Sequence, residues 1–153
     1  MNLDPTAFIA EPELIQGLES QSTPVLCTED YVLFRQGDAP AGLYILKSGE
    51  VTLTMHSPAG KEIATTKATA GSLLGLPGLI GKQPYTLTAI AHTGAKVSFI
   101  NQESFAGLMR TDPLLALKIL QVLAAEVRSA RSAILEQGGL KPRRSRLTPA
   151  RQP

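Results

Sequence analysis

The sequence predicts a mainly β domain, a sandwich, jelly roll or roll, flanked by helices and closed by one long C-terminal helix. Three observations lead there. Between Thr23 and Asn101, short apolar or alternating runs follow one another and are separated by turn residues, the signature of many short strands. After Ile100 the apolar period switches to that of helices. The composition, 43% hydrophobic and 18% charged over 153 residues, suffices for one domain with a substantial core.

The chain opens on a helical turn. Asp4 suits the cap, Pro5 the first helical position, and Phe8 and Ile9 give an apolar side. Pro12 ends this turn or starts a second one carrying Leu14, Ile15 and Leu18. Strands are predicted at Val25–Thr28, Tyr31–Arg35, Leu43–Lys47, Val51–His56, Glu62–Thr66, Leu87–Ala91 and Lys96–Ile100. Val51, Leu53 and Met55 alternate with Thr52, Thr54 and His56, as a half-buried strand requires. Separators such as Ser48-Gly49-Glu50 and Ser57-Pro58-Ala59-Gly60 supply turn geometry.

The stretch Gly71–Ala89 fits neither a strand nor a linker. It is rich in Gly and Pro, yet carries Leu73, Leu74, Leu76, Leu79, Ile80 and Leu87. A linker would be polar, and a strand interior would not tolerate this much Gly and Pro. The combination predicts a packed loop whose amides a rigid scaffold can aim at a ligand.

Asn101 caps a short helix, Gln102–Arg110, with Phe105, Leu108 and Met109 inward. Asp112-Pro113 starts a helix running to Gln137, and Gly138-Gly139 stops it. Its length, roughly 37 Å at about 1.5 Å per residue, exceeds what a small roll can bury. Ala116, Leu120, Leu123, Val127, Ala130 and Ile134 repeat at coiled-coil-like spacing, and Leu114, Leu117 and Leu135 widen the apolar face. The expectation is a two-fold homodimer through the 113–137 helix, its seam formed by Leu120, Leu123, Val127, Ala130 and Ile134.

The formal charge of +2 conceals an asymmetry. Lys141, Arg143, Arg144, Arg146 and Arg151 stand in the last 13 residues without an acid, so the rest is mildly acidic. The reading is one domain over 1–140 and a basic, disordered tail over 141–153. The tail is either solvated or a phosphate-contacting arm for nucleic acid, and five charges carry no sequence readout.

Several function classes fall away. Cys27 is the only cysteine, which excludes disulfide frameworks, Cys-rich zinc sites and Cys-ligated clusters within one chain. Its place in the run Val25–Cys27 predicts a buried small hydrophobe. His56 and His92 are the only histidines, so no three-His metal site can be built. Gly60-Lys61-Glu62 is a hairpin tip without a P-loop pattern, and Ser72 has no His and Asp at a recognisable spacing. No catalytic constellation is visible, and no enzyme is expected. No apolar run reaches about 18 residues, and the first residues have no basic n-region or apolar core. A cytoplasmic protein without membrane contact is expected.

Four pieces, in order, carry a resemblance. Leu33-Phe34-Arg35-Gln36-Gly37-Asp38 is a strand entering a Gly-Asp turn, and Leu43–Val51 reads LYILKSGEV. Gly71-Ser72-Leu73-Leu74-Gly75-Leu76-Pro77-Gly78-Leu79-Ile80 is a ten-residue cassette, and Thr88-Ala89 follows it. Together they resemble the cyclic-nucleotide-binding domain of the Crp/Fnr regulators over about Phe8 to Gln137. The resemblance implies a double-stranded β-helix, a jelly-roll-like β-roll, followed by a long C-terminal helix. It also implies a cassette that holds a cyclic phosphate on backbone amides and an Arg, with a Glu on the ribose 2′-hydroxyl. The long helix closes over the base and forms the dimer.

Carried onto this chain, the implied ligand site comprises Gly75, Leu76, Gly78, Leu79, Lys82, Thr86, Leu87, Thr88 and Ala89, with Arg131 on the base side of the helix. Two positions depart: Leu76 stands where the Glu belongs, and Leu87 where the Arg belongs. Each lost charge-assisted hydrogen bond costs ~1.5–3 kcal/mol, roughly tenfold to a hundredfold in affinity. Lys82, Thr86 and Thr88 are the nearby groups able to substitute in part. The family's helix-turn-helix domain needs more chain than the 13 residues after position 140, so the expectation is a sensor domain without that motif. Two readings stand. One is a non-catalytic regulatory domain that takes a small anionic ligand, such as a nucleotide, and signals through the long helix. The other is a ligand-independent dimeric interaction module with a degenerate apolar pocket.

Overall fold

Eight short antiparallel strands build two four-stranded sheets in a computed structural model that describes residues 3–137. The strands are β1 (Thr23–Val25), β2 (Tyr31–Phe34), β3 (Gly42–Ser48), β4 (Val51–His56), β5 (Glu62–Ala68), β6 (Ser72–Leu74), β7 (Thr88–Ala91) and β8 (Lys96–Asn101). One sheet has the order β1-β8-β3-β6 and the other β2-β7-β4-β5. A 3-10 turn, Pro5–Phe8, and helix α1 (Pro12–Glu19) precede the roll. Helix α2 (Leu76–Gly81) interrupts it, and α3 (Gln102–Thr111) and α4 (Pro113–Gln137) follow it. The expected β-roll with a long closing helix is the observed fold. The expected stop at Gly138-Gly139 and the basic tail 141–153 lie outside the described residues.

The two sheets differ in what covers them. β4 buries Val51, Leu53 and Met55 in the roll interior and leaves Thr52, Thr54 and His56 half-covered, so its period of two is plain in the sequence. β3 is covered on both faces. Leu43 and Ile45 join a core made with the helices, while Leu46 and Tyr44 face the roll interior. β6 is likewise buried throughout, with Leu73 on the helix side and Leu74 inside. This strand falls within the stretch expected to be a packed loop. Double burial removed the alternation that marks a strand. Other boundaries differ by one or two residues, and the first strand is displaced furthest, running Thr23–Val25 instead of Val25–Thr28; Leu87 precedes β7. Cys27 lies just beyond β1 and is buried as expected, and burial pushes its thiol pKa up.

The turns explain themselves locally. At the β3–β4 hairpin Gly49 has φ +87°, and a Cβ there would meet the Ala95 backbone at 2.7 Å. Both the left-handed conformation and the close approach require glycine. The Asp4 side chain accepts from the Thr6 amide at 3.0 Å, and Asn101 accepts from the Ser104 amide at 2.8 Å. Asp112 accepts from the Leu115 amide at 3.1 Å. These are the three expected caps.

Helix α4 is placed by a stripe of side chains facing its own roll. Leu115, Ile119, Val122, Glu126, Ser129 and Ala133 repeat at alternating spacings of four and three, and all are buried or half-buried. The Asp4 amide donates to the Ser129 hydroxyl at 2.9 Å, and Lys118 pairs with Glu11 at 3.4 Å. These contacts fasten α4 across the N-terminal turn and α1. The opposite face leaves Leu114, Leu117, Leu120, Val127 and Ile134 exposed.

Candidate functional site

A cavity of about 840 Å³ opens between the roll and the second half of α4. Five parts of the chain wall it, one being the turn after β2 with Gln36 and Gly37. The N-terminal turn supplies Phe8, and the β4–β5 hairpin supplies Met55, His56, Pro58 and Ile63. The segment between α2 and β7 supplies Tyr85, Thr86 and Leu87, and α2 itself supplies Pro77. Helix α4 lays Glu126, Val127, Ala130, Arg131, Ile134 and Leu135 across the opening. Most of this surface is hydrocarbon, as expected of a small-molecule site with few polar fixtures.

The Gly71–Ala89 stretch is held in place by Tyr85, which sequence reasoning passed over. Its hydroxyl accepts from the Ala41 amide at 2.9 Å and the Gly42 amide at 3.2 Å, and donates to the Gly42 carbonyl at 2.9 Å. Its backbone pairs with Gly37 and Asp38 at 2.9 Å each. Its ring stacks on Phe34 with centroids 4.1 Å apart. Gly75, at φ +92°, sits over that ring, and a Cβ there would lie 2.9 Å from it. Beside them Tyr44 donates to the Leu33 carbonyl at 3.1 Å, and burial is the main cause that pushes its pKa up to about 12.

The structure separates the residues expected to form one ligand site. Thr86 and Leu87 face the cavity, and Arg131 stands exposed at its rim. Gly75 and Gly78 border a second void of about 10 Å³ beneath it. Leu76 and Leu79 point the other way, into the core that Leu73, Leu115 and Ile119 form with the helices. Lys82 caps α2 in a left-handed conformation with its side chain exposed, outside the cavity wall. As a substitute anchor it would have to reach the cavity from outside its wall. Thr88 is engaged by the Gln36 amide at 2.9 Å, and Ala89 pairs with Leu53 inside the sheet. Where an amide could have faced the ligand, Pro77 contributes a ring without an N–H.

The least expected wall residue is Glu126. Its side chain is 3% exposed, and its Oε2 has no hydrogen-bond partner among the described residues. Burial raises its carboxyl pKa well above the ordinary range. The signal lay in the sequence: Glu126 stands on the Leu115-Ile119-Val122-Ser129-Ala133 stripe, the face α4 turns inward. Of the seam residues expected for a dimer, Leu120, Val127 and Ile134 are exposed, whereas Leu123 and Ala130 pack on the chain's own cores. Among the described residues no cluster of three metal-ligating side chains is present, and no helix is long and apolar enough to cross a membrane.

Comparison with known proteins places this geometry. The family described as the cyclic nucleotide-binding domain matches residues 24–112. The chain is 25% identical over 118 residues to the CRP-like cAMP-activated global transcriptional regulator of Mycobacterium tuberculosis, covering 77% of this chain and 53% of that protein. It is 29% identical over 98 residues to the Cyclic AMP receptor protein of Thermus thermophilus, covering 64% of this chain and 45% of that protein. It thus spans about half the length of the curated relatives it matches. The solved Catabolite Activator Protein of Thermus thermophilus superposes with a TM-score of 0.70 at 24% identity, over 88% of this chain and 63% of that one. That likeness speaks to the roll and its closing helix. The strand order, the cassette helix under the roll and the family match over most of the β block agree: the chain belongs to the cyclic nucleotide-binding domain family, of the Crp/Fnr type.

Proposed function

We propose that this chain is a non-catalytic, ligand-responsive regulatory domain in which a small molecule occupies the cavity under α4 and shifts that helix. One observation carries the reading: helix α4 itself forms one wall of the cavity, from Glu126 to Leu135. An occupant must touch α4, and a ligand shifts an equilibrium only through contacts that differ between its two states. The relatives' names point to transcriptional regulation and to cyclic AMP as their effector. For this chain the side chains favour a less anionic occupant. Leu87 and Pro77 supply no charge-assisted donor, and the buried Glu126 brings no positive charge to a phosphate. A phosphate here would rely on Arg131 at the rim.

The test is thermal unfolding of the full chain against cyclic mono- and dinucleotides and a set of uncharged and cationic aromatic compounds. A true ligand at about 100 times its Kd adds ~2.7 kcal/mol. Ala130→Trp, which fills the cavity from the helix side, should abolish that gain. No gain with any compound overturns the reading.

A second reading rests on the exposed helix face. Leu117, Leu120, Ala124, Val127, Arg131 and Ile134 are exposed and repeat at alternating spacings of three and four, the spacing of a helix-pairing seam, and its second half, Val127, Arg131 and Ile134, also borders the cavity. We infer a two-fold dimer through this face, shifted by one residue at alternate positions from the seam that periodicity implied. Sedimentation at micromolar concentration is expected to show a dimer for the parent chain and a monomer for Leu120→Glu/Val127→Glu. A parent monomer sinks the dimer. A dimer with no ligand response leaves a ligand-independent interaction module as the function.

A further inference from the structure

We propose that the cavity recognises an organic cation, a protonated amine carried on an apolar body, with the ammonium group seated against Glu126. The inference rests on the cavity being a ligand site and adds the class of ligand. It starts from what the wall leaves unpaired. The Tyr85 hydroxyl is spent on Ala41 and Gly42. Gln36 is spent on the His56 backbone, donating to its carbonyl at 2.9 Å and accepting from its amide at 2.8 Å. Arg131 makes no ion pair with Glu126 among the described residues. Among the described residues, the Oε2 of Glu126 is the buried side-chain polar atom left without a partner.

A second observation points to the same chemistry. The void of about 10 Å³ shares Glu126, Phe8, Pro77, Tyr85, Thr86 and Leu87 with the larger cavity and adds Phe34 among Leu53, Leu74, Gly75 and Gly78. Its size is that of one water or one ammonium head. Its walls therefore combine three aromatic rings with one carboxyl group. Aromatic rings attract cations through their quadrupole, and the Glu126 carboxyl, releasing its proton to water when an ammonium group arrives beside it, supplies the countercharge. An ammonium group in this void turns all its donors toward such walls, while the apolar body fills the larger cavity against Met55, Ile63, Leu87 and Ala130. An anion in the same place would meet aromatic faces and no cationic side chain.

The experiment uses three probes of matched shape: tryptamine, tryptophol and indole-3-acetate, titrated calorimetrically into the full chain. Tryptamine is expected to bind about tenfold or more tighter than tryptophol, the worth of one charge-assisted hydrogen bond, and indole-3-acetate most weakly. Glu126→Gln and Glu126→Leu should each erase the preference for the amine while still binding tryptophol, which shows the cavity intact. Equal binding of the three probes, or a preference for the amine that survives both substitutions, overturns the cation and leaves the cavity reading standing. Binding of none of them overturns the cation, and the thermal screen then decides the cavity reading on its own.

Discussion

Glu126→Leu is expected to stabilise the ligand-free domain by about 1–3 kcal/mol, measured as a higher urea midpoint at unchanged slope. Most core substitutions destabilise. This one removes a carboxyl group that is 3% exposed with an unpartnered oxygen, and leucine fits the same stripe as Leu115 and Ile119. The gain should depend on pH. Burial raises the folded-state pKa of Glu126, so the folded form holds its proton where the unfolded form has lost it. Stability is then unaffected below the unfolded value, about 4.3, and falls as pH rises toward the folded one. The slope reaches at most ~1.4 kcal/mol per pH unit. The difference between the parent chain and Glu126→Leu should therefore widen as pH increases from about 4.3. A difference that stays flat, or a variant less stable than its parent at neutral pH, would mean that Glu126 has a partner.

Tyr85→Phe should cost about 2–4 kcal/mol, a large share of the stability of a small domain. The ring and its stacking on Phe34 survive the substitution. What disappears is one hydroxyl that satisfies two amides and donates to one carbonyl. The amide of Gly42 is buried, and an unmet buried donor keeps its full desolvation cost. The urea midpoint should fall, and the amides of Ala41 and Gly42 should exchange faster than the rest of β3. A loss within about 0.5 kcal/mol would put this hydroxyl among ordinary surface groups.

The parts of the fold that were legible in the sequence share one property: each has a wet side. β4 alternates because one face meets solvent, and the caps at Asp4, Asn101 and Asp112 stand where a helix begins in the open. β6 was hidden because both its faces are dry, so its three residues read as part of an apolar loop. The long helix shows the same limit in another form. Its apolar arc is broad enough to contain two stripes, one through Leu115, Ile119 and Val122 and another through Leu117, Leu120 and Val127. Periodicity reveals both stripes, but the roll decides which is covered. That choice turned Leu123 and Ala130 inward and left Arg131 on the exposed face.

The site was less legible than the fold for a related reason. Position along the cassette was known, but side-chain direction was not. Leu76 and Leu87 stand in for two polar anchors in the sequence, yet only Leu87 faces the cavity. Glu126 drew no notice in the sequence, because only the roll decides that its stripe is the covered one. Tyr85 drew no notice because its role is set by a carbonyl and two amides more than 40 residues away in the chain.

Hydrogen exchange along α4, with and without the tightest-binding compound of the thermal screen, tests the central claim most directly. If the cavity is the ligand site and the helix its reporter, amides of Val122–Leu135 should slow by about tenfold or more at saturation, with smaller changes in β1 and β8. Protection confined to surfaces outside the cavity, or an α4 that exchanges at the same rate with ligand bound, would contradict it.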